Sequence, residues 1–359
     1  MPAPKNLSRA QIIGTGLIGA SIGAGLRRLG WTVTGYDIDE ARSKRAVELG
    51  ATDHAGVDPD AAIAFVATPA GAVAAAATRA LGDHPHAVVT DVAGVKGPVV
   101  SRLTDPRFVG GHPMAGSEQE GVEGADPEMF QGATWVLTPE PQTDPVAFAT
   151  VRAVVSQLGA NVVELSAARH DSLVALVSHV PHLTAATLMN LAADTATEHA
   201  TLLRLAAGGF RDMTRIAAGE ASIWPDVCAE NRAGILNALD RLLGALGEIR
   251  KVVESSDRAA LLGVLERARH ARVNLPTGVR SPDTAVEVRV PVADRPGVLA
   301  GVTTLLGEMG INIYDLEIAH SAEGDRGVLV MVVDGSAAER VRAALHEREY
   351  RCSIHPLGP

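Results

Sequence analysis

Gly14-Thr15-Gly16-Leu17-Ile18-Gly19 follows the apolar run Ala10-Gln11-Ile12-Ile13 and opens an Ala/Leu/Arg-rich stretch of helical composition. The pattern is G-x-G-x-x-G between a strand and a helix. Gly14 permits the tight turn, Gly16 lets a pyrophosphate approach the backbone, and Gly19 allows the helix to pack closely on the strand. Leu17 and Ile18 complete the motif. Glycines occur in any tight turn, so the context decides. Thr32-Val33-Thr34-Gly35-Tyr36 reads as a second strand, and Asp37 follows it where a carboxylate can accept from both ribose hydroxyls. Such a carboxylate repels a 2′-phosphate, so NAD is expected over NADP, with Arg42 and Lys44 just beyond as the counter-argument. Thr68-Pro69 is expected to edge the cofactor cleft, a plain strand-terminating turn being the alternative.

Outward from this unit the alternation continues. Ala62–Val66, Ala87–Thr90, Phe108-Val109, Thr134–Leu137 and Asn161–Leu165 read as further buried strands between helical segments, which implies a parallel sheet. From Ser166 the strand signal stops. Asp171–Asp194 is helical in composition, and Pro225 suits the first turn of another helix. In that helix Ile235, Leu239, Leu242, Leu246, Ile249 and Val253 form a heptad seam, for packing within one subunit or between two. Ser255-Ser256-Asp257 reads as a break and a new N-cap. Beyond a Pro/Gly-rich linker, the last 75 or so residues order as βαββαβ, the second strand opening at Asn312. The expected architecture is an α/β Rossmann domain (7–165), an all-α helical domain (166–274), a linker (275–283) and an α+β domain (284–359).

Bulk properties narrow the class. The 359 residues are 47% hydrophobic and 21% charged, as in a folded chain of two or three domains. A formal charge of −10 without a dense Lys/Arg run argues against nucleic-acid binding. The two cysteines, Cys228 and Cys352, have no metal-ligand spacing, so no metal is expected and a reducing cytoplasm is the simplest compartment. Met1–Ser8 lacks a signal-peptide core, and no apolar run reads as long enough to span a membrane.

Chemistry concentrates in four stretches. Gly111-His112-Pro113-Met114-Ala115-Gly116-Ser117-Glu118 sets a histidine, a hydroxyl and a carboxylate downstream of the glycine turn. Histidine is the side chain most easily poised for proton transfer near neutral pH. Asp91-Val92-Ala93-Gly94-Val95-Lys96 precedes it, and Ser178-His179-Val180-Pro181-His182 and Gly208-Gly209-Phe210-Arg211-Asp212-Met213-Thr214-Arg215-Ile216-Ala217 follow. Together these motifs resemble the prephenate dehydrogenase (TyrA) family of tyrosine biosynthesis over essentially the whole chain.

The resemblance implies a Rossmann domain, a helical dimerisation domain and a C-terminal ACT domain, acting as a homodimer on prephenate or its amino analogue arogenate. By the same resemblance His112 is the catalytic group that assists deprotonation of the ring 4-hydroxyl as hydride leaves. Arg215 binds a substrate carboxylate, as a planar two-pronged donor suits; a local pair with Asp212 is its alternative. His182 and Glu118 shape the pocket, Ser178 lies beside it, and His179 reads as structural. Asp294, Gly297 and Asn312 are the corresponding effector-binding positions, with tyrosine the implied effector and a purely structural ACT domain the alternative. Two departures stand out: Gly94 and Gly219 occupy positions where the family commonly has serine. Besides an NAD-dependent prephenate dehydrogenase, the competing readings are an arogenate or aminodeoxy-prephenate dehydrogenase and a catalytically silent amino-acid sensor.

Overall fold

The computed structural model describes residues 8–117, 119, 121–198, 208–273, 285–293, 295–320 and 326–356. Glu118, Asp294 and the linker 275–283 lie outside the described residues. The chain divides into two compact units, Met1–Thr187 with Ile216–Leu242, and Leu188–Arg215 with Leu243–Pro359.

In the first unit the expected alternation is present: β1 (Arg9–Ile13), α1 (Leu17–Arg28), β2 (Thr32–Tyr36), α2 (Glu40–Glu48), β3 (His54–Ala55), β4 (Ile63–Val66), α3 (Val73–Asp83), β5 (Val88–Asp91), α4 (Gly97–Arg102), β6 (Phe108–Pro113), β7 (Thr134–Thr138), α5 (Pro145–Gln157) and β8 (Asn161–Glu164). The eight strands order as β3-β2-β1-β4-β5-β6-β7-β8. The strand direction changes once, contrary to a wholly parallel sheet: β6 and β7 pair antiparallel, His112 opposite Val136. Among the described residues no crossover α-helix lies between those two strands, so the chain returns in the opposite sense. Apolar side chains of α1 and α5, among them Ile22, Leu26, Val151 and Val155, fill one face around Trp135. Val73, Ala77, Val99 and Val100 of α3 and α4 fill the other. Burial on both faces explains why the strands read as continuous apolar runs.

Helices follow: α6 (Ala167–Val174), a π-turn over Ala175–His179, α7 (Val180–Glu198), α8 (Gly208–Thr214), α9 (Trp224–Glu230), α10 (Arg232–Glu254) and α11 (Arg258–Val273). Pro225 does sit in the first turn of α9, but that helix ends at Asn231 instead of running on into the heptad seam. The Asn231 side chain is turned inward, to hydrogen-bond backbone and histidine. Ile235, Leu239 and Leu242 pack with Ala175 and Val180 in the first unit. Leu246, Ile249 and Val253, in the second, are exposed among the described residues. Asp257 caps α11 by accepting from Ala260 N–H at 2.9 Å. One correction concerns hydropathy. The helical stretch Ala167–Thr195 is long and apolar enough, by length and composition, to cross a membrane. It nevertheless buries His170, Asp171 and His179 within the protein.

The C-terminal part of the second unit is β9 (Ala285–Ala293), α12 (Val298–Glu308), β10 (Asp315–His320), β11 (Arg326–Asp334), α13 (Ala338–Glu347) and β12 (Ser353–Pro356), the expected βαββαβ order. Its sheet runs β10-β11-β9-β12, with a core of Val288, Val290, Val302, Leu306, Leu329, Met331, Val341 and Leu345. Asn312 does not begin the second strand of this domain, contrary to the sequence reading. Gly310 in a left-handed conformation and Ile311 bonding back to Leu306 first close α12, and ladder bonding starts at Tyr314.

Candidate active site

The strand order reverses direction between β1 and β4, the switch point where open α/β sheets bind ligands beyond their carboxyl ends. Gly14 turns there with φ +94°, and a Cβ on it would stand 2.4 Å from the Ala67 carbonyl oxygen. Only glycine fits. Gly16, by contrast, faces open space, with no atom within 4 Å of an added Cβ. It precedes α1 and supplies no side-chain cap, which leaves the first N–H groups of the helix for a ligand such as phosphate. Thr68 Oγ1, after β4, is buried and lacks a partner among the described residues. Asp37 accepts from Thr15 N–H at 2.9 Å and from Asp39 N–H at 3.1 Å, which fixes its carboxylate beside the glycine turn. Arg42 and Lys44 instead lie close to Asp39 and Glu40 on the exposed face of α2. These features fit a dinucleotide.

His112 is the fifth residue of β6, at the carboxyl edge of the same sheet. A Cβ on Gly111 would collide with the Asp91 carbonyl oxygen at 2.6 Å, so glycine lets β6 lie close against β5 just before the histidine. Beneath that contact is a fully buried ion pair. Lys96 Nζ pairs with Asp91 and donates to the Gly111 carbonyl at 2.6 Å, while Asp91 accepts from Gly111 N–H and Ala93 N–H, both at 3.0 Å. Burial pulls the Lys96 ammonium below the usual lysine range, with Asp91 opposing it. The pair ties the end of β5 to the backbone entering His112.

Behind the His112 ring lie two residues absent from the sequence-predicted site. His112 Nδ1 is 2.8 Å from His170 Nε2, and His170 Nδ1 is 2.8 Å from Asp171 Oδ1. Burial works against the Asp171 carboxylate. The hydrogen bonds from His170 and from the N–H groups of Lys96 and Gly97 nevertheless hold its pKa below the usual range. For His112, burial first and then His170, Lys96 and His179 keep the imidazole well below the ordinary histidine range, hence neutral. Gly94 closes the other side: a Cβ there would sit 3.7 Å from both Cε1 and Nε2 of His112, an ordinary contact.

The network continues through Asn231, whose amide donates to the Asp171 carbonyl at 2.9 Å and lies 3.3 Å from His179 Nδ1. Burial lowers His179 to about 4. Trp224 sits edge-on to His179 and stacks on His182, with ring centroids 3.7 Å apart and planes 17° from parallel. Burial also lowers the His182 pKa. A Cβ on Gly219 would stand 3.8 Å from His182 Cε1. A single chain of contacts thus links His112 to His182, and half-buried Ser178 lies in the π-turn between them in sequence. Arg215 is exposed at the start of the turn Arg215–Ala218 and groups with the second unit. Gly297 caps α12 with φ +90°, beside a cavity of about 60 Å³ lined by Arg295, Val298, Leu299 and Ile318.

A neutral base at the carboxyl edge of a dinucleotide-binding sheet places this chain among the NAD(P)-dependent dehydrogenases. Comparison with known proteins narrows the class. The family model for the prephenate dehydrogenase nucleotide-binding domain matches residues 22–164, that for its dimerization domain 166–267, and that for the ACT domain 285–349. Prephenate dehydrogenase of Bacillus subtilis (strain 168) is 32% identical over 334 residues, 89% of this chain and 90% of the relative. The Aquifex aeolicus prephenate dehydrogenase structure, in complex with hydroxyphenyl propionate and NAD+, superposes with a TM-score of 0.70 at 29% identity. It covers 75% of this chain and 98% of that one. Synechocystis arogenate dehydrogenase is also similar, with a TM-score of 0.65 and 30% identity over 74% of this chain and 98% of that one. The chain belongs to the prephenate dehydrogenase family of aromatic amino-acid biosynthesis.

Proposed function

We propose that this chain is an NAD-dependent prephenate dehydrogenase that converts prephenate to 4-hydroxyphenylpyruvate with loss of carbon dioxide. The observation that carries the reading is His112: neutral, at the carboxyl edge of the sheet, with one ring edge facing the space over Gly94. Gly14, Gly16, Leu17, Ile18, Gly19 and Thr68 would hold the dinucleotide, and Asp37 its ribose hydroxyls. When bound, that cofactor takes the hydride from the carbon bearing the substrate hydroxyl. His112 accepts the hydroxyl proton as that carbon becomes a carbonyl. When the ring carboxylate leaves as carbon dioxide, its bonding electrons make the ring aromatic. His112 then returns its proton to the phenolate oxygen, so no net proton is released. His182, stacked on Trp224, and Ser178 are assigned to the substrate pocket, Glu118 is assigned the same role from its motif, and Arg215 binds a substrate carboxylate.

The remaining assignments follow the same reading. Tyrosine is the proposed effector, held at Asp294, Gly297 and Asn312, and the exposed Leu246, Ile249 and Val253 of α10 are the proposed homodimer contact. The enzyme is placed in the cytoplasm. One observation favours a second substrate: Gly94 puts no hydroxyl beside His112, so the pocket has room for an analogue with a different ring substituent, such as an aminodeoxy-prephenate. Purified chain assayed with prephenate and arogenate, each with NAD and NADP, decides. The expected result is fastest turnover with prephenate and NAD. Turnover of arogenate with prephenate inert would overturn the substrate, and tyrosine binding without any turnover would favour the silent sensor.

A further inference from the structure

A base is useful only if its lone pair is on the nitrogen that faces the substrate, and in His112 the groups behind the ring decide which nitrogen that is. Asp171 is the fixed end of the chain. A carboxylate can only accept hydrogen bonds. Its Oδ1 accepts from Lys96 N–H at 2.8 Å and its Oδ2 from Gly97 N–H at 2.7 Å, so both oxygens are anchored to the turn that opens α4. At the 2.8 Å contact with Asp171, His170 Nδ1 is therefore the donor. Where His170 holds a single ring proton, that proton is on Nδ1 and Nε2 is left as an acceptor. The nitrogen 2.8 Å away, His112 Nδ1, must then donate. His112 then carries its proton on Nδ1 and its lone pair on Nε2, at the Cε1–Nε2 edge of the ring that lies toward Gly94.

We infer that His170 and Asp171 are positioning residues, which fix the tautomer of His112 so that Nε2 is the proton acceptor. The inference rests on the reading of His112 as the base given above. His170 is fully buried, so in its own position it can only serve neighbouring protein groups. When the substrate O–H bond breaks, the proton goes to His112 Nε2 and the electron pair stays with the oxygen. The cation so formed keeps its Nδ1–H bond to His170 Nε2, which the Asp171 carboxylate makes a better acceptor. The logic is that of a carboxylate orienting a histidine base, extended by one ring.

Ring-15N-histidine NMR of the full chain near neutral pH tests this directly, with the His112 signals identified by their loss in His112→Asn. The expected spectrum has a protonated Nδ1 and a bare Nε2 on both His112 and His170. A protonated Nε2 on His112 would overturn the inference. This readout is independent of turnover: an inert wild type with the expected tautomer would sink the proposed function alone, and an active one with the opposite tautomer the inference alone. In His170→Leu, turnover of prephenate should fall roughly 10- to 100-fold with little change in KM, less than the ~10²–10⁴ a base itself supplies. His170→Gln, whose carbonyl can accept from Nδ1–H, should recover part of it. An unchanged kcat in folded His170→Leu contradicts the inference, and if that variant does not fold, the wild-type spectrum decides.

Discussion

Replacing Lys96 by Met would cut the buried pair beneath the active-site strand. Lys96 and Asp91 are both fully buried, and Met retains most of the lysine stem. The variant leaves the Asp91 carboxylate with its two backbone donors, Gly111 and Ala93, but without its countercharge. Removing one partner of a buried pair costs about 3–5 kcal/mol. For a folding unit of 150–250 residues, about 2–4 °C is lost per kcal/mol, so Tm should drop by roughly 6–20 °C. Chemical denaturation gives the energy and calorimetry the Tm. The double variant Lys96→Met with Asp91→Asn, which removes both charges, should recover more than half of the loss. A second readout comes from His112, whose pKa is lowered partly by the Lys96 charge. Neutral His112 is the active form, so activity falls as pH drops through its pKa. Without Lys96 that pKa rises, and the acid limb of the rate profile should move to higher pH. A loss below about 1 kcal/mol, or strictly additive single variants, would refute the reasoning.

Two further perturbations bear on the site. In Gly94→Ser the Cβ meets only the His112 ring at 3.7 Å, so the backbone need not move. One added hydrogen bond of about 0.5–1.5 kcal/mol should raise kcat/KM for prephenate about 2- to 10-fold; a fall in kcat/KM would show that the space is already used. His179 bears on acid stability, since its folded pKa of about 4 lies below the ordinary 6.5. The unfolded chain takes up the proton first, so this contribution is complete above about pH 6.5 and is lost as pH falls toward 4. The loss is on the order of 3 kcal/mol, with His112 acting in the same direction. Urea titrations across that window should show a shallower decline in His179→Gln, and an unchanged slope would contradict the assignment.

Much of this arrangement was legible in the residues. The glycine turn, Asp37 and the apolar strand runs carry their meaning locally, because turn geometry and strand burial are set by neighbours in sequence. Strand direction is not local, which is why the antiparallel return from β6 to β7 was missed. Asn312 failed for a similar reason, since ladder pairing rather than propensity sets where β10 starts. His170 and Asp171 were passed over because a His-Asp pair at the start of an apolar helix has no local pattern that marks it as buried or paired. Their partner His112 is 58 residues away and meets them only in the fold. A signal was present: Asp171 and His182 are three helical turns apart, which would put them on one helix face. Trp224 and Asn231 gave no such pattern, and only tertiary packing shows them against the two histidines.

The most direct measurement compares wild type with His112→Asn, using prephenate and NAD and following both nicotinamide reduction and release of 4-hydroxyphenylpyruvate. Wild type should form the two products in equal amounts. The variant should lose about 100-fold or more in kcat with little change in KM. A His112→Asn enzyme that turns over prephenate at the wild-type rate would contradict the account at its centre.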